Sequence, residues 1–513
     1  MDRYNPIIKA DFPDPDVIRV EDTYYMLSTT MHFRPGAVIL RSYDLVHWEI
    51  VSHVFDNLDN TLHECMSGER CSYGRGMWAG SLRWHNGKFY VCFSALETDK
   101  TYIYTTAEID GAWERIVLDE YRHHPSLLFD GDRVYMVSGY ERILIRELTC
   151  DCKAYKTEGL SRTILEKTDE DVYLGYEGAH IQKIKDKYYL FVVFWPKQKP
   201  ARRTQLCFIG ESLEMNFTRY EVLRDDMGYD NQGIAQGGLV ETPNGKWYAL
   251  LCQTRGAAGR IPVLVPVRWE GDIPVFGNGG KVPERIESVS SRPYYHYEPV
   301  CTSDEFSYEP GADGKVSLKK QWEFNHVPDG KNWFISEKKG LCIRNAKICT
   351  NVTHAMNTLT QRMMWPECAA EVTVDGSSLK NGDVAGLCAL QGCYGLIAIT
   401  KEYGVYYLVV IERSAEQVPV QDTGMDYMPG AVTEKVRLEE ALVRIRINAR
   451  FGEEDAVEFF YQNKNRWRRI GKSHKLLFRM DHFMGCRFGL FNYATKELGG
   501  VAEFQEFRYI YSD

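Results

Sequence analysis

Between residues 14 and 253 the chain repeats one arrangement of polar and apolar positions five times. Each copy has a short polar lead, two or three apolar residues, a turn, and an aromatic-rich alternating run. The copies are "DPDVIRVEDTYYMLSTT" from Asp14, "AGSLRWHNGKFYVCFSA" from Ala79, "HPSLLFDGDRVYMVSGY" from His124, "EGAHIQKIKDKYYLFVVF" from Glu177 and "QGGLVETPNGKWYALLCQ" from Gln236. Alternation with a period of two predicts strands, and "EDT", "HNGK", "DGDR", "KDK" and "PNGK" between them are hairpin turns. The starts lie about 45 to 65 residues apart, room for a four-stranded sheet in each repeat. Radial repetition of such sheets predicts a five-bladed β-propeller over residues 1–293.

After a stretch at 294–318, expected to be a linker, the repeat does not return. Residues 319–513 alternate in segments such as "PECAAEVTVDG", "YGLIAITKEYGVYYLVVIER" and "CRFGLFNYA", which predict a β-sandwich. The fold class expected is therefore all-β.

The repeat makes a geometric forecast. Counting back from the aromatic strand, Tyr25 to Asp14, Tyr90 to Ala79 and Tyr135 to His124 are each 11 residues. Tyr189 to Glu177 and Tyr248 to Gln236 are each 12. Equivalent propeller positions surround one axis, so Asp14, Ala79, His124, Glu177 and Gln236 should meet at one mouth of the channel. This also gives a reason for placing Asp14 and Asp16 around Pro15, just before core residues, where a carboxylate is costly to desolvate.

Composition narrows the partners. A net charge of −9 argues against nucleic acid or an anionic membrane. No run approaches the length of a membrane helix, and "MDRYNPIIKADFPDPD" has no apolar core of a signal peptide, so a cytoplasmic location is expected. The 14 cysteines are scattered through strand-like runs, and "TCDCK" lacks further ligands in zinc spacing, so no metal site is expected there. Aromatics at 13% suit both a β-rich core and a sugar site, and so decide neither.

Two carboxylates across a pocket suit glycoside hydrolysis, one as general acid and one as general base. Asp14, before a rigid proline turn, is expected to stay ionised. Glu177, between Tyr176 and Gly178, is expected to have its pKa raised by apolar packing so that it can donate a proton.

"NPIIKADFPDPDVI", "MWAGSLRWHNGKFYV", "YEGAHI" and "GRIPVLVPVRW" together resemble glycoside hydrolase family 43, most closely its β-xylosidase and α-L-arabinofuranosidase members. The resemblance covers essentially the whole chain and implies a five-bladed propeller that hydrolyses with inversion, followed by a concanavalin-like sandwich. It implies that Asp14 is the base and Glu177 the acid. It also assigns Phe33, Trp78 and Arg260 to the terminal-sugar pocket, where aromatic faces and a guanidinium fork would meet the sugar. Gln236, another ring member, is expected to contact substrate as well.

Two departures stand out. The family's third carboxylate, which tunes the acid, is replaced by His124 in "HHPSLLF". The segment "YDNQGIAQGG" lacks a histidine found there in relatives, and Asp230 is a candidate for a displaced third carboxylate. The chemistry requires no cofactor, although the resemblance allows a structural Ca2+ on the propeller axis. The expected activity is exo-acting, inverting release of terminal β-D-xylose or α-L-arabinofuranose from xylan or arabinoxylan oligosaccharides. The alternative is a weakened, sugar-binding propeller, motivated by His124; a protein-docking scaffold would have no need of paired carboxylates. Neither the sugar preference nor the oligomeric state follows from the sequence.

Overall fold

The computed structural model describes residues 4–311, 314–337, 340–414, 416, 428–480 and 482–511. The first half is five four-stranded antiparallel sheets, each a meander in which consecutive strands pair. Their innermost strands are Asp16–Val20, Ser81–His85, Ser126–Asp130, Val172–Ile184 and Ala235–Glu241. Each touches the next, and the fifth touches the first, so the sheets close a ring and form a five-bladed propeller. The turns work as their residues dictate. Asn86 and Gly87 take φ of 47° and 75° in the two-residue turn of blade 2, matching the twist of the flanking strands. The chain start is tied to blade 5, where Asn5 Nδ2 donates to the carbonyls of Leu264 and Pro283.

The second half is a sandwich of an eight-stranded and a seven-stranded sheet. The segment expected as a linker is not loose. Tyr295 packs its ring 4.7 Å from that of Tyr43 in blade 1, and Phe306 is fully buried in the sandwich core. Residues 312–313 of that segment lie outside the described residues.

The two halves are joined by a shared, hydrogen-bonded sheet as well as by the chain. Phe33–Arg34, within the loop between the second and third strands of blade 1, pairs with Glu323–Asn325 and becomes an edge strand of the eight-stranded sheet. At the same boundary Glu323 is completely buried and bridges Arg362 (2.9 Å), Arg487 (2.6 Å) and His53 of blade 1 (3.1 Å). A buried carboxylate is tolerated only with such compensation. The sandwich therefore sits locked against the propeller.

Candidate active site

Four of the five blade leads converge as counted, while Glu177 is not among the residues lining the axial cavity. Asp14, Ala79, His124 and Gln236 line one small axial cavity, with Gly178 completing the circle from blade 4. The backbone at this ring is left-handed at Asp14 (φ 53°) and His124 (46°), each just before its inner strand, and at Gly178 (65°) and Gln236 (73°) within theirs. The count of 12 in blade 4 has a local cause. Glu177 pairs with Val193 and His180 with Phe191, so three steps on one strand oppose two on the other. That is a β-bulge, and Gly178 is within it. A side chain at Gly178 would collide with Gln236, its Cβ meeting Cδ at 3.0 Å, so the carboxylate is delivered from the residue before. Blade 5 has a similar shift, three steps from Ala235 to Gly238 opposing two from Cys252 to Leu250, together with a longer turn, Thr242–Lys246, between the paired ends Glu241 and Trp247.

One step deeper, Asp16 closes the floor. Its Oδ2 accepts from Arg83 Nη1 (2.7 Å) and the Leu82 amide (2.9 Å), and its Oδ1 lies 3.4 Å from His180 Nδ1. Burial works against its charge, but Arg83 and His180 outweigh it and hold its pKa down at about 2. The axis is thus plugged, and the mouth is a pocket.

Asp14 is buried, and its Oδ1 accepts from Arg260 Nη1 at 2.7 Å. Arg260 is in turn capped by Phe483 of the sandwich: the guanidinium carbon stands 4.3 Å from the ring centre, and Nη2 donates to the Phe483 carbonyl at 3.3 Å. Phe483 packs on Trp78 (5.4 Å), and Trp78 on His123 (5.7 Å) and His124 (5.8 Å). His123 Nε2 reaches Glu177 Oε1 at 2.7 Å. A continuous wall therefore runs from Asp14 through Arg260, Phe483, Trp78 and the two histidines to Glu177.

The electrostatics of Glu177 correct an expectation. Burial does push its carboxyl up, as the apolar setting suggested. The His123 hydrogen bond and the charges of His124, His123 and Arg203 push harder, and the pKa falls to about 2. His124 moves the other way from a charged partner: burial drives its pKa down to about 4, so at neutral pH it is an uncharged imidazole. Its Nε2 lies 3.9 Å from Glu177 Oε1, beyond hydrogen-bond range.

Three further expectations change. Phe33 is 1% exposed and is covered by the Arg487 guanidinium (3.5 Å) and the His32 ring (4.3 Å), so its face is spent on the domain boundary. Asp230 is exposed in its loop and is not among the residues lining the axial cavity, so it does not replace the carboxylate missing at position 124. A Ca2+ on the axis does not fit the donors present. Asp14 and Asp16 are already paired with Arg260 and Arg83, the remaining lining includes imidazoles, and the cavity measures about 20 Å3. Calcium needs six to eight oxygen ligands.

His123, Arg203 and Phe483 did not emerge from the repeat. The doubled histidine of "HHPSLLF" is a signal for the first. Phe483 has none, because it arrives from the other domain.

Residues 4–274 match the model of "Glycosyl hydrolases family 43", and residues 314–510 match that of the "Beta xylosidase C-terminal Concanavalin A-like domain". A β-xylosidase of Formosa agariphila is 27% identical across 99% of this chain and 90% of its own length. A non-reducing end α-L-arabinofuranosidase of Bacteroides ovatus is 24% identical over 81% and 77%. Among solved structures, a bifunctional GH43-CE protein of Bacteroides eggerthii superposes with a TM-score of 0.91 at 36% identity; it covers all of this chain, which spans 64% of that longer protein. These relatives carry hydrolase names and lend no support to a binding-only propeller.

Proposed function

The chain belongs to glycoside hydrolase family 43 and is a glycosidase, and from that membership we propose that it is exo-acting and inverting, releasing terminal β-D-xylose or α-L-arabinofuranose from xylan or arabinoxylan oligosaccharides. The observation that carries this reading is the wall linking Asp14 to Glu177 around a plugged axis. A pocket with a closed floor takes the end of a chain rather than its middle.

In this mechanism Asp14, oriented by Arg260, accepts a proton from the attacking water, and Glu177 gives one to the departing oxygen. Trp78 offers an aromatic face to the sugar's C–H surfaces, and the buried Phe483 backs it. Gln236, whose Nε2 is buried without a partner, has a donor to spare for a hydroxyl. Because His123 holds Glu177 ionised far into acid, the donating form is scarce in the free enzyme at neutral pH. Hydrolysis of substrates with poor leaving groups should therefore quicken as pH falls.

The test is a panel of aryl β-xyloside, aryl α-L-arabinofuranoside and xylo-oligosaccharides, with the product anomer followed by NMR. Release of single sugars with inverted configuration is expected. Retained configuration, or internal cleavage of long chains, would overturn the reading.

A further inference from the structure

Next to the acid lies a ligand set that glycoside hydrolysis by two carboxylates does not need. His123 Nε2, His124 Nε2 and a Glu177 oxygen converge, and one ligand atom from each lies within 4.8 Å of the others. The two imidazoles are stacked, with ring centres 4.2 Å apart and planes 12° from parallel, so both present the same edge to Glu177 Oε1. His124 is 94% buried (6% exposed), its Nδ1 has no partner, and its Nε2 faces the carboxylate across a gap too wide for a hydrogen bond. A buried polar ring aimed at a carboxylate it does not bond leaves a space that a small cation would bridge.

We propose that His123, His124 and Glu177 form a binding site for a divalent cation of the zinc class, which takes the acid carboxylate out of action while it is bound. Two nitrogens and one oxygen suit zinc, cobalt or nickel rather than calcium or magnesium, which take oxygen donors. Zinc bonds of about 2.0–2.2 Å place tetrahedral ligand atoms about 3.3 Å from one another. The 2.7 Å contact would open and the 3.9 Å gap would close, each by roughly half an ångström.

The second shell is prepared at His123. Its Nδ1 lies 3.0 Å from the Tyr121 hydroxyl. With Nε2 donating to Glu177, Nδ1 accepts from that hydroxyl. When Nε2 gives its lone pair to a metal, the ring proton resides on Nδ1 and donates to the same oxygen. A hydroxyl that serves either tautomer is the kind of partner that orients metal-bound histidine. Trp78 against both rings shields the site on one side and leaves the pocket as the route of entry.

Binding and inhibition are separable. Protein carrying Cys150→Ser, which removes the one exposed thiol, is stripped with EDTA and titrated calorimetrically with ZnCl2. One zinc per chain is expected, with affinity at least about tenfold weaker in His124→Gln and in His123→Gln, and several-fold weaker in Tyr121→Phe. A Co2+ titration should give visible d–d absorption that both histidine variants lose, while CaCl2 should not compete. Should one histidine variant fail to fold, the other carries the test. Zinc that binds equally well to folded variants, or that calcium displaces, overturns the site.

The inhibition rests on Glu177 being the acid, so a second arm follows aryl β-xyloside hydrolysis with zinc and then with EDTA. Reversible loss of activity supports the whole proposal. Stoichiometric zinc binding in a protein that hydrolyses nothing would keep the metal site and remove the functional reading. Hydrolysis indifferent to bound zinc would remove the site's control of Glu177.

Discussion

Glu323, at the boundary between the domains, and Glu177, at the axial mouth, are both carboxylates set among basic side chains, and both ionise below their ordinary range. Their surroundings differ in completeness. Glu323 is sealed, and Arg362, Arg487 and His53 use both of its oxygens. Glu177 keeps 14% of its side chain exposed, with one short contact from His123 and one long approach from His124. A carboxylate with both oxygens committed holds structure together. One that is held on one side and open on the other can exchange a proton with whatever enters. The difference lies in the partners rather than in the residue type.

That contrast predicts opposite outcomes for one substitution. Glu323→Gln leaves Arg362 and Arg487 buried against a neutral amide, and breaking a buried pair typically costs about 3–5 kcal/mol. A chemical denaturation midpoint should fall accordingly, while kcat per folded molecule stays close to wild type. If stability is unchanged, the boundary network is not what locks the domains.

Glu177→Gln should do the reverse. Hydrolysis of natural oligosaccharides should slow by roughly 10² or more, since a positioned proton donor contributes about that much. Aryl substrates with good leaving groups should suffer less, and the melting temperature should move little. Equal, small losses on both substrates would take the acid role away from Glu177.

How much of this was legible in the sequence depends on distance along the chain. Strand pairs joined by "HNGK" or "EDT" are local, so alternation and turn chemistry reveal five blades, and counting back from the tyrosines finds the ring. The bulge at Gly178 changes the count by one without hiding the pattern. What stays invisible is supplied from afar. The neighbours of Glu177 in sequence are Tyr176 and Gly178, and they suggest an apolar niche that would raise its pKa. Its neighbours in space are His123, His124 and Arg203, which lower it. Phe33 reads as a pocket aromatic until its strand is seen to pair with Glu323–Asn325, more than 290 positions on. The packing of Phe483 on Arg260 crosses 223 residues and has no periodic trace.

Phe483 itself gives a smaller effect. Phe483→Ala would strip one face from Arg260 and from Trp78 while leaving the carboxylates in place. The loss of an aromatic contact of this kind should raise KM roughly tenfold with little change in kcat. An unchanged KM would mean that the sandwich buttresses Arg260 without meeting the sugar.

The smallest effect is the most specific. The family resemblance puts a carboxylate where His124 stands, and at neutral pH His124 is uncharged and contributes no repulsion toward Glu177. His124→Asp would set a negative charge where Nε2 now lies 3.9 Å from Glu177 Oε1, and a like charge at that range favours the protonated acid. The alkaline limb of kcat/KM against pH should then move upward, by on the order of one unit. Activity at neutral pH should not fall, because more Glu177 carries its proton there. The shift has a ceiling set by the other charges around position 124. Arg260 lies close enough to be drawn toward the new carboxylate, and Asp14, its present partner, adds repulsion of its own. His123 opposes the shift too, for it keeps donating to Glu177. Combining His124→Asp with His123→Phe should therefore move the limb further than either change alone. A limb that moves down, or a double variant no different from the single, would mean that Glu177 takes its pKa from His123 alone, with position 124 a bystander.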